Sequence, residues 1–246
     1  MKNILFLFIA AVFGLQSCTI NSQIVYHKDA ASTSVTDIDM RQFMEEMKAM
    51  TPDSLKQKNE FGEMDKLPTE WTSLLDMQKK EGKQQPANPD SVRIMKKIFM
   101  KMNKENNEPA GISLKMDRFT QADYQMLSSY NKKEKLPLDQ NIFNNWDGKT
   151  LTINTDNFNL KNIEETLRSK ASKEEAEKVQ GMVSMFFKSI ETTLKFENKI
   201  RSVTGKHDWV KQIDPYTVKI DYDLKAMYDK DIQLKHSDQK IIIITE

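Results

Sequence analysis

The chain has 246 residues, with 37 basic against 36 acidic side chains and a hydrophobic content of 38%. That balance gives no long-range pull toward nucleic acid or acidic lipid, and no like-charged run is long enough to be a binding tail. One cysteine excludes an internal disulfide, and 7 glycines leave little with which to build a backbone phosphate cradle.

Met1-Lys2-Asn3 carries one positive charge, and the apolar run Ile4 to Leu15 follows it. A positive start, a short apolar core and a small residue at the cut describe a secretory signal peptide. The run is shorter than the roughly 20 residues that a transmembrane helix needs. It closes on Leu15-Gln16-Ser17-Cys18. This box resembles the lipobox of bacterial lipoproteins, with Leu at −3, a small residue at −1 and Cys at +1. The resemblance implies a diacylglyceryl group on the Cys18 thiol and cleavage between Ser17 and Cys18. It further implies two or three fatty chains of the palmitate kind at the new N-terminus, enough for stable attachment. The implied address is the bacterial cell envelope, at the periplasmic face of the outer membrane. In the competing reading, Cys18 is an ordinary small residue beside a plain signal cut or an uncleaved anchor.

Processing at Cys18 leaves about 229 residues, enough for one large domain or two small ones. The expected division is signal peptide 1–17, short tether 18–23 and a single domain 24–246, with a candidate subdivision near 106–111. In "IVYHKDAASTSVTDID" two short strands flank the turn "KDAAS". Met40, Phe43, Met44, Met47 and Met50 recur at helical spacing and predict a short amphipathic helix facing the core. Residues 51–68 read as irregular. Thr69 is a candidate N-cap for a helix with Trp71, Leu74, Leu75 and Gln78 as its apolar stripe. "GKQQPANPD" is a linker by composition, and Asp90 can cap a helix reaching about Lys104.

"GISLKMDRF" alternates as a half-buried strand, "TQADYQMLSSY" reads as helix, and a long connection ends in the turn signal Asp147-Gly148. "KTLTINTDNF" predicts a strand. A helix is expected from about Leu160 to Thr192, broken near Ser169 to Ser172. The last third alternates most strictly. Leu194, Phe196 and Ile200 oppose Lys195, Glu197, Lys199 and Arg201, while Val218, Ile220, Tyr222 and Leu224 oppose Lys219, Asp221 and Asp223. "IIIIT" is an apolar strand. One wet face per strand indicates antiparallel sheet. The expected fold class is therefore α+β, an antiparallel sheet with one solvent-exposed face and helices packed on the other.

"YHKDAASTSVTDIDM" and "LKFENKIRSVTGKHDWVKQIDPYTVKIDYDL" resemble segments of uncharacterised Bacteroidota-type envelope lipoproteins. The second also resembles a strand pair of several bacterial lipoprotein β-domains, where Pro-Gly often stands in place of Glu197-Asn198. Gly205 matches the turn that follows. These resemblances imply a fold and an envelope address, and bring no activity and no functional residues.

Four constellations bear on chemistry. His27, His207 and His236 lie far apart among charged residues, without a nucleophile elbow such as Gly-x-Ser-x-Gly, and read as solvated surface groups. Asp37 with Asp39, and Asp221 with Asp223, sit two apart on strand faces where carboxylates can bind a cation or divide acid and base roles, but a solvated sheet surface explains them. "NTDNFNLKNIEE" places Asp156, Asn162 and Glu165 near calcium-loop positions, yet Asn159 stands where that loop needs glycine. The 15 methionines suit copper(I) chemically, but those on the Met40–Met50 stripe coincide with its core face. No catalytic residue, metal or cofactor is expected. The expectation is a lipid-anchored, non-enzymatic binding or scaffold module, its membrane partner reached through Cys18, with no nucleic-acid partner. The alternative is a carrier of a small apolar ligand in a pocket between sheet and helices.

Overall fold

A computed structural model describes residues 18–42, 44–45, 66–82, 86, 88–130, 145–158, 187–228 and 231–246. In chain order these form β1 (Cys18–Tyr26), β2 (Ser32–Asp39), β3 (Thr72–Ser73), α1 (Leu74–Lys80), α2 (Pro89–Lys97), β4 (Ile98–Glu105), β5 (Glu108–Phe119) and α3 (Gln121–Tyr130). There follow β6 (Thr150–Asn154), β7 (Phe187–Phe196), β8 (Ile200–Thr204), β9 (Val210–Asp214), β10 (Thr217–Asp221), α4 (Leu224–Tyr228) and β11 (Lys240–Thr245). The strands make two sheets, ordered β3-β4-β5-β2-β1-β7-β10-β9 and β6-β11-β8. β10 pairs antiparallel with β7 and β9, β11 with β6 and β8, and β3 with β4. The expected single sheet under helices is thus corrected to two sheets with short helices. The described chain is mostly strand, which fits the α+β label only loosely.

The chain divides into two compact units, one of residues 1–21, 36–115 and 184–189, the other of residues 22–35, 116–183 and 190–246. The division falls within β1, β2, β5 and β7. The stretch marked near 106–111 holds the hairpin turn between β4 and β5. Asn106 and Asn107 have φ of 51° and 65°, the left-handed pair that a two-residue connection of the I′ kind asks for and that asparagine tolerates.

In the first unit, α1 starts at Ser73, not at Thr69. Asp76 N–H donates to Ser73 Oγ (3.1 Å), and that hydroxyl donates to Asp76 Oδ2 (2.7 Å), so cap and first turn hold each other. Asn88 caps α2, with Pro89 in the first turn, where its missing N–H costs nothing. α2 ends at Lys97, and the expected continuation to Lys104 is the strand β4. Ile98 and Met102 are buried there together with Leu75 and Ile94, while Lys104 and Glu105 run out into solvent toward the hairpin. In the sequence Val92, Met95, Ile98 and Met102 recur at helical spacing, and this pattern runs past the true helix end because a strand's inward residues can also fall four apart.

In the second unit, Ile24, Tyr26, Leu194, Phe196, Val218 and Ile220 from the large sheet and Leu151, Ile153, Ile200, Ile241 and Ile243 from the small one share a single buried cluster. Full burial of each such side chain contributes about 1.5–3 kcal/mol. Tyr26 lies stacked on Phe196 (ring centroids 4.9 Å apart), with Trp146 tilted against both. β11 is the central strand of the small sheet, so Ile242 and Ile244 are also half-buried and the isoleucine run needs no alternation.

Residues 187–192, expected as the end of a helix, open β7; the rest of that expected helix, the breaks at Ser169 and Ser172 included, lies outside the described residues. Ile190, Thr192, Leu194 and Phe196 alternate inward, a period of two that the preceding helical stripe concealed. Residues 18–23, expected as a tether, are the first part of β1, where Cys18, Ile20 and Ser22 alternate inward. Along the Met40–Met50 stripe, residues 41–42 and 44–45 are helical and Met44 is buried; Phe43, Met47 and Met50 lie outside the described residues. Residues 1–17, expected as a signal peptide, lie there too.

Candidate functional site

Two polar constellations stand out, one in each unit. In the second unit, strand alternation turns Tyr26 into the core and His27 outward at the end of β1. The tight link to β2 is closed by His27 N–H donating to Ala31 O (2.9 Å). Trp146 Nε1–H donates to His27 O (2.8 Å), so the aromatic core fixes the histidine's backbone. The ring Nδ1 lies 2.7 Å from Glu197 Oε1, in the turn between β7 and β8, and Nε2 lies 2.9 Å from Thr33 Oγ1 on β2.

A carboxylate can only accept, so Nδ1 carries the proton; Nε2 faces the Thr33 hydroxyl, whose hydrogen also reaches Asp117 Oδ1 at 3.5 Å. Lys28 N–H donates to the second Glu197 oxygen (2.9 Å). The hydrogen bond from His27, with that of Lys28 behind it, holds the Glu197 carboxyl below its ordinary range. Thr33 Oγ1 in turn accepts from Arg118 N–H (3.1 Å). Arg118 is in the left-handed region (φ 48°) and its guanidinium pairs with Asp29.

Glu197, His27 and Thr33 therefore form a carboxylate–imidazole–hydroxyl line, the arrangement that activates an alcohol. Sequence reading placed His27 in solvent, yet its side chain is only 14% exposed. The missed partners, Glu197 and Thr33, come from a turn 170 residues away and from the facing strand. The sequence offers one signal, that Glu197-Asn198 stands where the strand pairs it resembles often carry Pro-Gly. Arg118 N–H, a nearby backbone donor, is spent on Thr33 Oγ1 itself, and Thr33 is a branched alcohol at the second position of β2.

In the first unit, Arg41 follows β2 and clamps two carboxylates. Its Nε donates to Asp39 Oδ1 (3.0 Å), Nη2 pairs with Asp39 Oδ2, and Nη1 donates to Glu105 Oε2 (2.9 Å) on β4. The Arg41 side-chain hydrogen bond holds the Asp39 carboxyl below its ordinary range against the opposing effect of burial. Asp37 accepts from Ser113 Oγ, which accepts in turn from Asn103 Nδ2 (2.7 Å). An open depression of about 870 Å³ lies here, lined by Arg41, Gln42, Met44, Glu45, Glu105, Asn106, Glu108, Pro109 and Ala110.

Both aspartate pairs are engaged within the protein. Asp37 and Asp39 have partners of their own. Asp223, expected beside Asp221 on a strand face, instead caps α4, accepting from Lys225 and Ala226 N–H at 3.0 Å each. Asp221 pairs with Lys219 Nζ (2.9 Å). In the calcium-like stretch, Asn154 Oδ1 accepts from Asp156 N–H (3.0 Å) as the cap of a short turn, while Asn159, Asn162 and Glu165 lie outside the described residues. Among the described residues no cluster of three or more His, Cys, Asp or Glu can hold a metal ion.

His207 corrects a second expectation. It is 8% exposed, edge-on to Phe158 and Trp209, and burial pushes its pKa down, so it sits neutral in an aromatic cluster. His236 is exposed as expected and bonds Asp208 Oδ1 at 3.1 Å.

Cys18, the expected lipidation and cleavage position, is the first residue of β1 and is 7% exposed. Among the described residues no helix is long and apolar enough to cross a membrane.

No family model matches the chain, and no curated protein matches it. Among solved structures, the NMR structure of the folded domain of Mycobacterium tuberculosis LppM is similar over 95% of this chain and 94% of that one, with 14% identity and a TM-score of 0.39, a likeness too slight to carry a function across.

Proposed function

We propose that the protein is a lipid-anchored envelope lipoprotein acting as a non-enzymatic binding or scaffold module. The observation that carries this reading is the box Leu15-Gln16-Ser17-Cys18 at the end of a short apolar run. The Cys18 thiol is the nucleophile toward lipid, and the acyl chains supply the membrane attachment that no described helix offers. The outer membrane's periplasmic face is the proposed location. Support for a non-enzymatic role comes from the Glu197–His27–Thr33 line, where the backbone N–H groups of Lys28 and Arg118 are both engaged by the line itself. The alternative of an apolar carrier finds no support in the Arg41 depression, whose lining is mainly charged and polar. The test is fatty-acid labelling in cells. Wild type should take up label and Cys18→Ser should not, accumulating as precursor. Equal labelling of the two would reject the anchor.

A further inference from the structure

The inference rests on Cys18 being the anchor and concerns what the anchor brings to the bilayer. Cys18 is itself the first residue of β1, so no tether separates lipid from sheet. A hairpin link joins β1 to β2, so the strands run antiparallel and the start of β1 lies beside the end of β2, at Asp39 and Met40. Met40 N–H donates to Ala110 O (2.9 Å), which brings the start of β5 to the same end. Gly111 confirms how close these strands run, since a Cβ there would lie 2.1 Å from Ile38 O. From Ala110 the hairpin continues through Glu108 to the turn at Asn106 and Asn107. At about 3.3 Å per residue its tip projects roughly 10 Å beyond the level of Met40. Two strand spacings, again roughly 10 Å, separate β5 from β1 sideways.

We infer that this end of the first unit, made of Cys18, Met40, Arg41 and the β4–β5 hairpin tip, is a bilayer-docking surface with the tip among the lipid headgroups. Its chemistry selects the kind of bilayer. Among the described residues Asp39, Glu45, Glu105 and Glu108 stand here against Arg41 and Lys104, and the Arg41 guanidinium is already committed to Asp39 and Glu105. A net negative surface with its arginine engaged has no attraction for anionic lipid. It suits zwitterionic headgroups, where the acyl chains alone hold it and polar Asn106 and Asn107 meet a polar layer.

The experiment uses acylated full-length protein in vesicles of phosphatidylcholine and phosphatidylethanolamine carrying a nitroxide quencher on the headgroup. A fluorophore is placed through Glu108→Cys beside the tip, or through Lys96→Cys at the end of α2. Eight strand residues of β4 set these positions about 25 Å apart. Both residues are exposed, and neither has the left-handed backbone of the turn. The label at 108 should lose most of its emission and the label at 96 little. Inserting about twelve Gly and Ser residues after Cys18, a coil of about 20 Å, should abolish the difference. Equal quenching at 96 and 108 in acylated protein with its native spacing would overturn the docking surface while leaving the anchor intact. Loss of acylation in the unmodified protein would instead remove the anchor reading itself.

Discussion

Gly205→Ala should be among the most damaging single-methyl changes in the chain. Gly205 follows β8 with φ of 88°, and an added Cβ would lie 2.2 Å from Lys240 O. The left-handed backbone costs an L side chain about 1–2 kcal/mol. The contact cannot be relieved by a side-chain rotation, because Lys240 opens the central strand of the small sheet, where it pairs with Asn154. Relief needs β11 or β8 to shift, which costs about 1–3 kcal/mol in strain and about 0.5–1.5 for a ladder hydrogen bond weakened in the process. Together these give about 3–6 kcal/mol, a large share of a total stability of about 5–15 kcal/mol. Two other left-handed glycines supply the comparison. At Gly148 (φ 97°) a Cβ would lie 2.9 Å from Lys28 O, and at Gly82 (φ 67°) it meets nothing within 4 Å. Gly82→Ala should therefore cost only the backbone term, about 1 kcal/mol, with Gly148→Ala between the two. Urea unfolding followed by tryptophan fluorescence and circular dichroism measures all three. A Gly205→Ala loss within about 0.5 kcal/mol of the Gly82→Ala loss would refute the packing argument.

Other expectations follow from the same geometry. Glu197 has its carboxyl lowered below the ordinary 4.5, so the stabilisation it shares with His27 is present above that value and lost as pH falls through the folded-state value. In Glu197→Gln the acid side of the stability profile should flatten, and an unchanged profile between wild type and variant would show that the clasp contributes nothing. Trp146→Phe keeps a ring beside Tyr26 and Phe196 but deletes the bond to His27 O, and should cost about 1–2 kcal/mol in urea unfolding. Met44 is 4% exposed, so Met44→Leu should cost under about 1.5 kcal/mol and Met44→Ala about 2–5. If Met44→Leu abolished tight copper(I) binding by the wild type at unchanged fold, the methionine would be a ligand and not packing.

Strand alternation made the second unit the most legible part of the fold. Val218 and Ile220 point inward, and Lys219 and Asp221 outward, as their order in the sequence predicts. What failed were the places where one pattern fits two structures. Ile98 and Met102, four apart, serve a helix stripe and a strand face equally well, and only the Asn106-Asn107 turn chemistry separates them. Asp223 looked like the next outward strand residue, yet the strand stops at Asp221 and the carboxylate becomes a cap. The His27 clasp was not legible because its partners are distant in sequence and only the packing of two turns brings them together. His207 looked solvated among its charged neighbours. Its burial follows from Phe158 and Trp209, ring partners that no local pattern ties to it.

The central claim is the anchor at Cys18, and mass spectrometry of the mature N-terminal peptide tests it most directly. The protein is extracted from the membranes of a host able to process lipoproteins. The account predicts a peptide that begins at Cys18 and carries the mass of a diacylglyceryl group with its fatty chains. A mature protein that begins elsewhere, or one that retains an unmodified Cys18 thiol, would contradict it.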